Sequence, residues 1–201
     1  MKTYLCRHGL LLWLELRGRR AQPDHEDLDP YRLAPVLASR FVLDIAPTEV
    51  KSVETGTRVL ARLPSFGRAP RASFNGVDGQ AFDEFARIVA EEGNGAVIIA
   101  ESGAVSLEIL LLPLTLHRFT GRRVLGVVAD CNPYAQPGET NPLKIVSCRF
   151  LARDLQEISP QTSYSSDAQN PALTAPTHSQ AIRSAAGRQK LTLKMASRFL
   201  Q

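Results

Sequence analysis

The side chains that could carry nucleophilic or metal chemistry are few and widely spaced. The three cysteines, Cys6, Cys131 and Cys148, contain no Cys-x-x-Cys pair. An odd number of cysteines at such spacing favours reduced thiols packed inside a cytoplasmic protein over a disulfide framework or a zinc site. The sequence also has no nucleophile elbow, no Gly-rich phosphate loop and no His-Glu-x-x-His motif. We therefore expect no catalytic residues, no metal site and no cofactor.

Two pairs of adjacent carboxylates could in principle supply general acid and base groups. The pairs are Asp83-Glu84 and Glu91-Glu92, and both fall in a predicted helix, where neighbouring residues do not share a face. We interpret them as solubilising surface charge. An enzyme acting on a small molecule would need a polar, closed pocket with perturbed titratable groups, and it stays an unsupported alternative.

The elements that would position any site are centred on residues 96–130. Three β-rich runs separated by turn signals at Ser102-Gly103 and Thr120-Gly121 predict two consecutive hairpins of an antiparallel sheet. The runs are 97–100, 105–116 and 124–129. In the middle run the alternating residues Val105, Leu107, Ile109 and Leu111 indicate a buried face. Pro113 cannot donate to a ladder, so it indicates an edge position or a bulge.

The remaining elements lie before this sheet and complete an α+β order. They are an amphipathic helix at 7–17, a short helix from Pro30, strands at 41–45 and 50–60, a loop at 61–77, and a helix from Asp78 to Gly93. Gly56 is expected to be a bulge or a point of close approach in the middle of the second strand. The last helix places Phe82, Phe85 and Val89 on one face. Five strands with helices on one face are the predicted architecture.

The C-terminal quarter differs in composition from the rest. Residues 159–180 are rich in proline, serine and threonine, which predicts a flexible linker. Residues 181–201 carry five basic and no acidic side chains among apolar ones. A disordered basic end and a segment that docks on a partner or an acidic surface are both open interpretations.

Net charge and hydropathy limit the class of protein further. We interpret the net charge of +4 and the pI near 9.2 as charge on a solvated protein surface. The alternative function is nucleic-acid binding through the basic tail. The apolar run from Leu10 to Leu16 is interrupted by Glu15 and followed by no small-residue cleavage site, so we read it as neither a secretory signal nor a membrane span. We expect a cytoplasmic protein.

The order of elements and a set of spaced residues resemble a PAS domain, and more narrowly the bacterial single-PAS group known as PAS family 5. The resemblance covers about residues 10–151. The residues that carry it are Trp13 with Arg17-Gly18, Asp29-Pro30, Leu43-Asp44, Gly56-Thr57, Phe66-Gly67-Arg68, Glu108 before Leu111-Leu112-Pro113-Leu114, and Leu125-Gly126. The loop from Leu60 to Val77 departs from the family, because it is short where PAS domains build much of their ligand cavity.

The resemblance implies a PAS-like five-stranded antiparallel sheet with helices on one face, preceded by the amphipathic N-terminal helix. The domains would be an N-terminal helical flank at 1–38, the PAS-like domain at 39–155, and a linker with a basic tail at 156–201. Haem-binding relatives need an imidazole on or beside the long helix, and no histidine falls in 78–93. Cys148 follows the last predicted strand, so its similarity to a flavin-adduct motif is read as coincidence.

The function implied by the resemblance is that of a cytoplasmic sensory or adaptor protein. Its partners would be itself, as a homodimer, and signalling proteins such as histidine kinases or other regulators. The two facing apolar surfaces are either core or a pocket for a small apolar ligand; their residues are Phe82, Phe85, Val89, Leu107, Ile109 and Leu111. The expected dimer interface is the helix face with Leu10, Trp13 and Leu14, if that helix leaves the sheet.

Overall fold

A computed structural model describes residues 1–63, 66, 74, 76–116, 121–132, 134 and 142–151. The chain divides into two units, Met1–Gln161 and Thr162–Gln201, and all described residues lie in the first. The described helices are α1 (Tyr4–Arg17), α2 (Thr57–Arg62) and α3 (Gly76–Glu92), with 3₁₀ turns at His25–Asp27 and Leu37–Ser39. The strands are β1 (Arg40–Ile45), β2 (Val50–Thr55), β3 (Ala96–Ser102), β4 (Val105–Leu114), β5 (Arg122–Asp130) and β6 (Lys144–Phe150).

The strands form a single antiparallel sheet in the order β2-β1-β5-β4-β3-β6. This confirms the predicted antiparallel α+β architecture and the two hairpins that join β3, β4 and β5. A sixth strand, β6, pairs with β3 and adds to the five expected strands. Cys148 therefore lies within a strand and does not follow the last one. The sequence signal for β6 is weak because most of its side chains are exposed, so apolar and polar residues do not alternate clearly.

Helices cover both faces of the sheet, and each face has its own apolar cluster. We call the face under α3 the inner face and the face under α1 the outer face. The inner cluster contains Phe41, Phe82 and Ile109, whereas the outer cluster contains Trp13 and Leu110. The expectation that helices lie on one face therefore holds for α3, while the N-terminal helix packs across the opposite face.

Local sequence explains why α1 forms and where it ends. Thr3 is the N-cap, and its hydroxyl accepts a hydrogen bond from the backbone N–H of Cys6 at 3.3 Å. Gly18 ends the helix at φ 55°, a conformation that glycine adopts without steric cost. Gly9 faces the sheet, and a Cβ there would lie 2.9 Å from a methyl group of Val127. The helix can therefore pack close to β5.

Pro113 lies near the end of β4, where one side of the strand is free of pairing. The β3 ladder ends with Ala96 opposite Leu111, whereas β5 continues beside β4 as far as Leu114. The missing N–H of Pro113 thus removes no bond to β3, which agrees with the predicted edge position. The Pro113 carbonyl accepts a 2.8 Å hydrogen bond from the indole N–H of Trp13.

Two predicted elements in the first third of the chain differ from the structure. The strand predicted at 50–60 ends at Thr55, and Gly56 precedes α2 instead of forming a mid-strand bulge. A Cβ at Gly56 would overlap with the carbonyl of Ala38, which confirms the other expectation for this glycine, a close backbone approach. The short helix predicted from Pro30 is a series of turns, in which Tyr31 N–H donates to the Asp29 carboxylate.

Several predicted segments fall outside the described residues. The linker at 159–180 and the basic tail at 181–201 do so completely, and the loop at 61–77 does so in part. Among the described helices, none combines the length and the apolar character that a membrane crossing requires.

Candidate functional site

The candidate site is the interface between α3 and the inner face of the sheet. Phe82 lies at its centre, with its ring 5.0 Å from that of Phe74, 5.8 Å from that of Phe66 and 6.5 Å from that of Phe41. Phe41 and Phe66 also meet edge to face at 4.6 Å. These separations are typical of aromatic pairs that stabilise a core beyond their buried area. The inner face therefore holds a connected group of four aromatic rings, which we call the aromatic cluster.

The structure brings the six residues of the predicted pocket into one apolar cluster. Five of them are fully buried, namely Phe82, Val89, Leu107, Ile109 and Leu111, and Phe85 is half-buried at its margin. The ring of Phe85 lies 6.2 Å from that of Phe150 on β6. The helix and strand surfaces thus face each other as the sequence pattern indicated, and the added strand covers one side of them.

Sequence reasoning missed three of the four rings in the aromatic cluster. Phe41 lies on β1, which is distant in sequence from α3, and Phe66 and Phe74 belong to a stretch predicted only as a loop. The sequence did contain a signal for Phe66 and Phe74. Large apolar side chains in a loop rich in proline and arginine favour burial against another part of the protein. Only the pairing of β1 with β5 shows that Phe41 reaches this face.

The carboxylates of α3 differ in exposure, which corrects one prediction. Asp83 is only 1% exposed, whereas the Glu84 side chain is exposed. Asp83 is therefore not the solubilising surface charge that its sequence position suggested. At the start of α3, the Asp78 carboxylate accepts a 3.1 Å hydrogen bond from the backbone N–H of Ile145. This bond joins α3 to β6.

On the outer face, one buried carboxylate anchors the start of α1 to the sheet. Glu108 on β4 is 1% exposed and accepts hydrogen bonds from the backbone N–H groups of Lys2 and Thr3, both at 2.7 Å. The Thr3 hydroxyl donates a third bond at 2.6 Å. Burial by itself raises the pKa of Glu108, but these hydrogen bonds outweigh it and hold the pKa below its ordinary value. Glu108 is therefore ionised at neutral pH.

The residues of the expected dimer interface lie mainly against the chain's own sheet. Leu10 and Trp13 are buried in the outer cluster, and Leu14 is half-buried beside it. The condition for that interface was that the helix leaves the sheet, and it does not. The large apolar side chains that α1 presents to solvent are Tyr4 and Leu11.

The groups that could hold a metal or cofactor are dispersed. Within the part of the chain that the structure describes, no three His, Cys, Asp or Glu side chains are close enough to hold a metal ion. His8 lies on α1, and the His25 ring contacts the Glu54 carboxylate at 3.1 Å. Burial raises the pKa of the Cys148 thiol to about 12, which disfavours its reactive thiolate.

Comparison with known proteins gives one match. A family model described as a PAS domain, that of PAS family 5, matches residues 7–129. The match begins within α1, ends within β5 and leaves out β6. Neither the curated proteins nor the solved structures contain a match to this chain.

Proposed function

The chain belongs to the PAS domain family, and from this premise we propose that it is a sensory or adaptor protein that acts through protein contacts in bacterial signal transduction. PAS domains are generally sensory rather than catalytic, which gives this chain a sensory or signalling role in the broad sense. The finer proposal concerns what is sensed and how the signal leaves the domain.

The observation that carries the proposal is the apolar contact between α3 and β4. Phe82 and Val89 on α3 and Ile109 on β4 belong to the same buried apolar cluster. Apolar packing is non-directional, so a helix held by it can shift to admit a small apolar molecule at a modest cost in free energy. The ligand we propose is therefore small and apolar and binds between the helix and the sheet.

The proposed output is a change at the surface of the domain that a signalling partner recognises. A ligand between α3 and β4 would displace α3, which is joined to β6 through Asp78 and through the contact of Phe85 with Phe150. Because β6 lies at the edge of the sheet, its displacement would alter an accessible surface. Histidine kinases or other regulators are the partners that we propose would read it.

Native mass spectrometry of freshly purified protein tests the ligand directly. We expect a retained small molecule in the wild type and its loss in Ile109→Trp, because the indole fills the space between helix and strand. The matched control is Leu110→Trp on the same strand, whose side chain is equally buried but lies on the outer face. Each variant should lose roughly 1–3 kcal/mol of stability through overpacking, so only ligand retention distinguishes them.

Two results would count against this function. Equal loss of the retained molecule in both variants would show that global destabilisation, and not the inner face, controls retention. A wild type that carries no ligand, with Ile109→Trp destabilised by more than about 3 kcal/mol because no space accommodates the indole, would contradict a sensory pocket between these surfaces and leave an adaptor role alone.

The output is tested by cross-linking in bacterial cells that express the wild type or Ile109→Trp. We expect a signalling protein to be cross-linked to the wild type in an amount that changes in the variant. If cross-linking is unchanged in the variant, partner binding does not depend on the packing of the inner face.

A further inference from the structure

The edge strand β6 lies outside the family match, and it is paired on one side only. The match ends at residue 129, whereas β6 spans Lys144–Phe150. β6 pairs with β3, and among the described strands none pairs with its other side. An edge strand is a template for a further strand unless charge, proline or a bulge protects it. β6 is therefore a candidate surface for the addition of a partner strand.

The first half of β6 is protected from such pairing, and the second half is not. The register with β3 shifts at Val146, which has no partner residue on β3 and forms a bulge. Just before it, the Ile145 N–H donates to the Asp78 carboxylate at 3.1 Å, so a partner cannot use this group. Residues 147–150 pair regularly with β3 and include no proline. A partner strand would therefore lie along residues 147–150.

The backbone groups of β6 that face the free side belong to Cys148 and Phe150. The Leu151 N–H donates to the Gly95 carbonyl at 2.7 Å, so residue 151 faces the side of β3. Backbone groups of successive residues in an antiparallel ladder face opposite sides, so those of Arg149 also face β3, whereas those of Cys148 and Phe150 face away. A residue placed opposite either one in a further antiparallel strand would exchange hydrogen bonds with it.

The side chains of residues 147–150 differ between the two faces of the sheet. On the inner face, Cys148 packs against the inner cluster, and the ring of Phe150 meets Phe85 while 37% of the residue stays exposed. On the outer face, Arg149 is exposed, and among the described residues no carboxylate pairs with it. Residues directly opposite in neighbouring strands share a face. A partner strand would therefore need apolar side chains beside Phe150 and acidic ones beside Arg149.

The other charges around β6 leave Arg149 as the group for a partner carboxylate. Lys144, the other basic residue of β6, lies opposite Glu101 of β3. The acidic residues of α3 lie over the inner face, so the sheet separates them from Arg149; they are Asp78, Asp83, Glu84, Glu91 and Glu92. A second copy of β6 would bring the basic side chains of both copies onto one face of the sheet. Charge therefore favours an acidic partner strand over a second copy.

We propose that residues 147–150 bind an extended segment of a partner protein as an additional antiparallel strand in which apolar and acidic residues alternate. The apolar side chains lie beside Phe150 on the inner face, and a carboxylate contacts Arg149 on the outer face. This inference rests on the proposed signalling function, in which a partner reads the surface of β6, and it adds the chemistry of recognition. Because so short a strand buries little area, the complex is reversible, with a dissociation constant in the micromolar range.

Fluorescence anisotropy with the full-length chain and a labelled peptide of alternating glutamate and valine tests the proposal. We expect saturable binding, and no binding of the control peptide in which lysine replaces glutamate. Arg149→Glu should weaken binding by at least about fivefold. The matched control is Lys51→Glu on β2, the opposite edge of the sheet, and it should leave binding unchanged. Both positions are exposed, so circular dichroism should show an intact fold in both variants.

Methylation of the peptide backbone tests the strand geometry. The valines lie opposite Cys148 and Phe150, so N-methylation of the valines removes the hydrogen bonds to β6 and should abolish binding. The N–H groups of the glutamates point away from β6, so N-methylation of the glutamates is the matched control and should leave most of the binding.

Three results would overturn this proposal. They are no saturable binding of the glutamate-valine peptide, binding that Arg149→Glu leaves unchanged, and equal effects of the two methylations. A wild type that self-associates in sedimentation velocity and does not bind the peptide would assign the edge to a second copy of the chain. None of these outcomes bears on ligand retention at the inner face, so the sensory function is judged separately by mass spectrometry.

Discussion

The two faces of the sheet are covered by helices in physically different ways. On the outer face, directional hydrogen bonds fix α1 at two points, Glu108 with the start of the helix and Trp13 with the Pro113 carbonyl. On the inner face, α3 meets β4 through apolar side chains such as Phe82 and Ile109, and a hydrogen bond from the Ile145 N–H to Asp78 joins the start of α3 to the edge strand β6. Directional bonds specify one position of a helix, whereas apolar contact tolerates several. We propose from this comparison that the outer face serves as the support and the inner face as the side that adapts.

The largest expected effect is truncation of the central ring on the inner face. Phe82→Ala should lower the free energy of unfolding by about 3–5 kcal/mol, because Phe82 is fully buried in the aromatic cluster. Leu110→Ala on the outer face is the comparison, with an expected cost of about 2–5 kcal/mol. Urea denaturation measures both. A cost below about 1 kcal/mol for Phe82→Ala would mean that the ring is not packed as the structure has it.

The next effect comes from the buried carboxylate on the outer face. Glu108→Gln should cost about 1.5–3 kcal/mol at neutral pH, since it weakens the charge-assisted hydrogen bonds from Lys2 and Thr3. Hydrogen exchange should increase at the start of α1 and not in α3. Increased exchange in both helices would show that the effect is global.

The same residue predicts a pH dependence with a defined sign. The pKa of Glu108 in the folded protein lies below its ordinary value of 4.5, so its ionised form stabilises the fold at neutral pH. This contribution is lost as the pH falls below 4.5 and through the lower folded-state pKa. The stability difference between wild type and Glu108→Gln should therefore shrink over that range. A difference that stays constant down to acidic pH would contradict the role of the charge.

A smaller effect is expected at the second anchoring point of α1. Trp13→Phe keeps an aromatic ring but removes the indole N–H that donates to Pro113, and it should cost about 1 kcal/mol. Thermal denaturation of the variant gives this value. Trp13→Leu serves as the control, because it removes ring volume as well and should cost more. A cost for Trp13→Phe below about 0.5 kcal/mol would indicate that the hydrogen bond contributes nothing measurable.

The smallest effect is a difference in labelling rate among the three cysteine thiols. Measuring it requires no change in the stability of the protein. Burial raises the pKa of the Cys6 and Cys148 thiols to about 12, so we expect Cys131 to react with iodoacetamide first at neutral pH. Single-cysteine variants and mass spectrometry measure each rate. The rate at Cys148 should keep rising with pH up to the limit of stability. A plateau near pH 9 would show that its thiol is not shielded by the inner cluster.

Much of the fold followed from local patterns. The alternation in β4 and the turn at Gly103, which has φ 57°, predicted the β3–β4 hairpin, and the spacing of Phe82 and Val89 predicted the buried face of α3. The strand β6 could not be predicted in the same way, since an edge strand with exposed side chains lacks a clear alternation. The homodimer and the ligand stay predictions.

Only part of the candidate site could be predicted from the sequence. The pattern placed Phe82 and Ile109 on facing surfaces, because each lies on the apolar side of its own element. It could not identify Phe41, whose ring reaches the inner face through the pairing of β1 with β5. The sequence pattern also failed to predict that Asp83 is buried. The exposure of a carboxylate on a helix depends on which residues of other elements pack over that turn.

By itself, the sequence determined the types of the main elements and the apolar face of each, because hydrophobic periodicity and turn residues act over a few neighbours. Tertiary structure alone decided which face of the sheet α1 covers and why Gly126 is a glycine. Gly126 pairs with Phe41, and a Cβ there would overlap with that ring. The two residues are far apart in the chain, and only the folded sheet brings a ring over a position where no side chain fits.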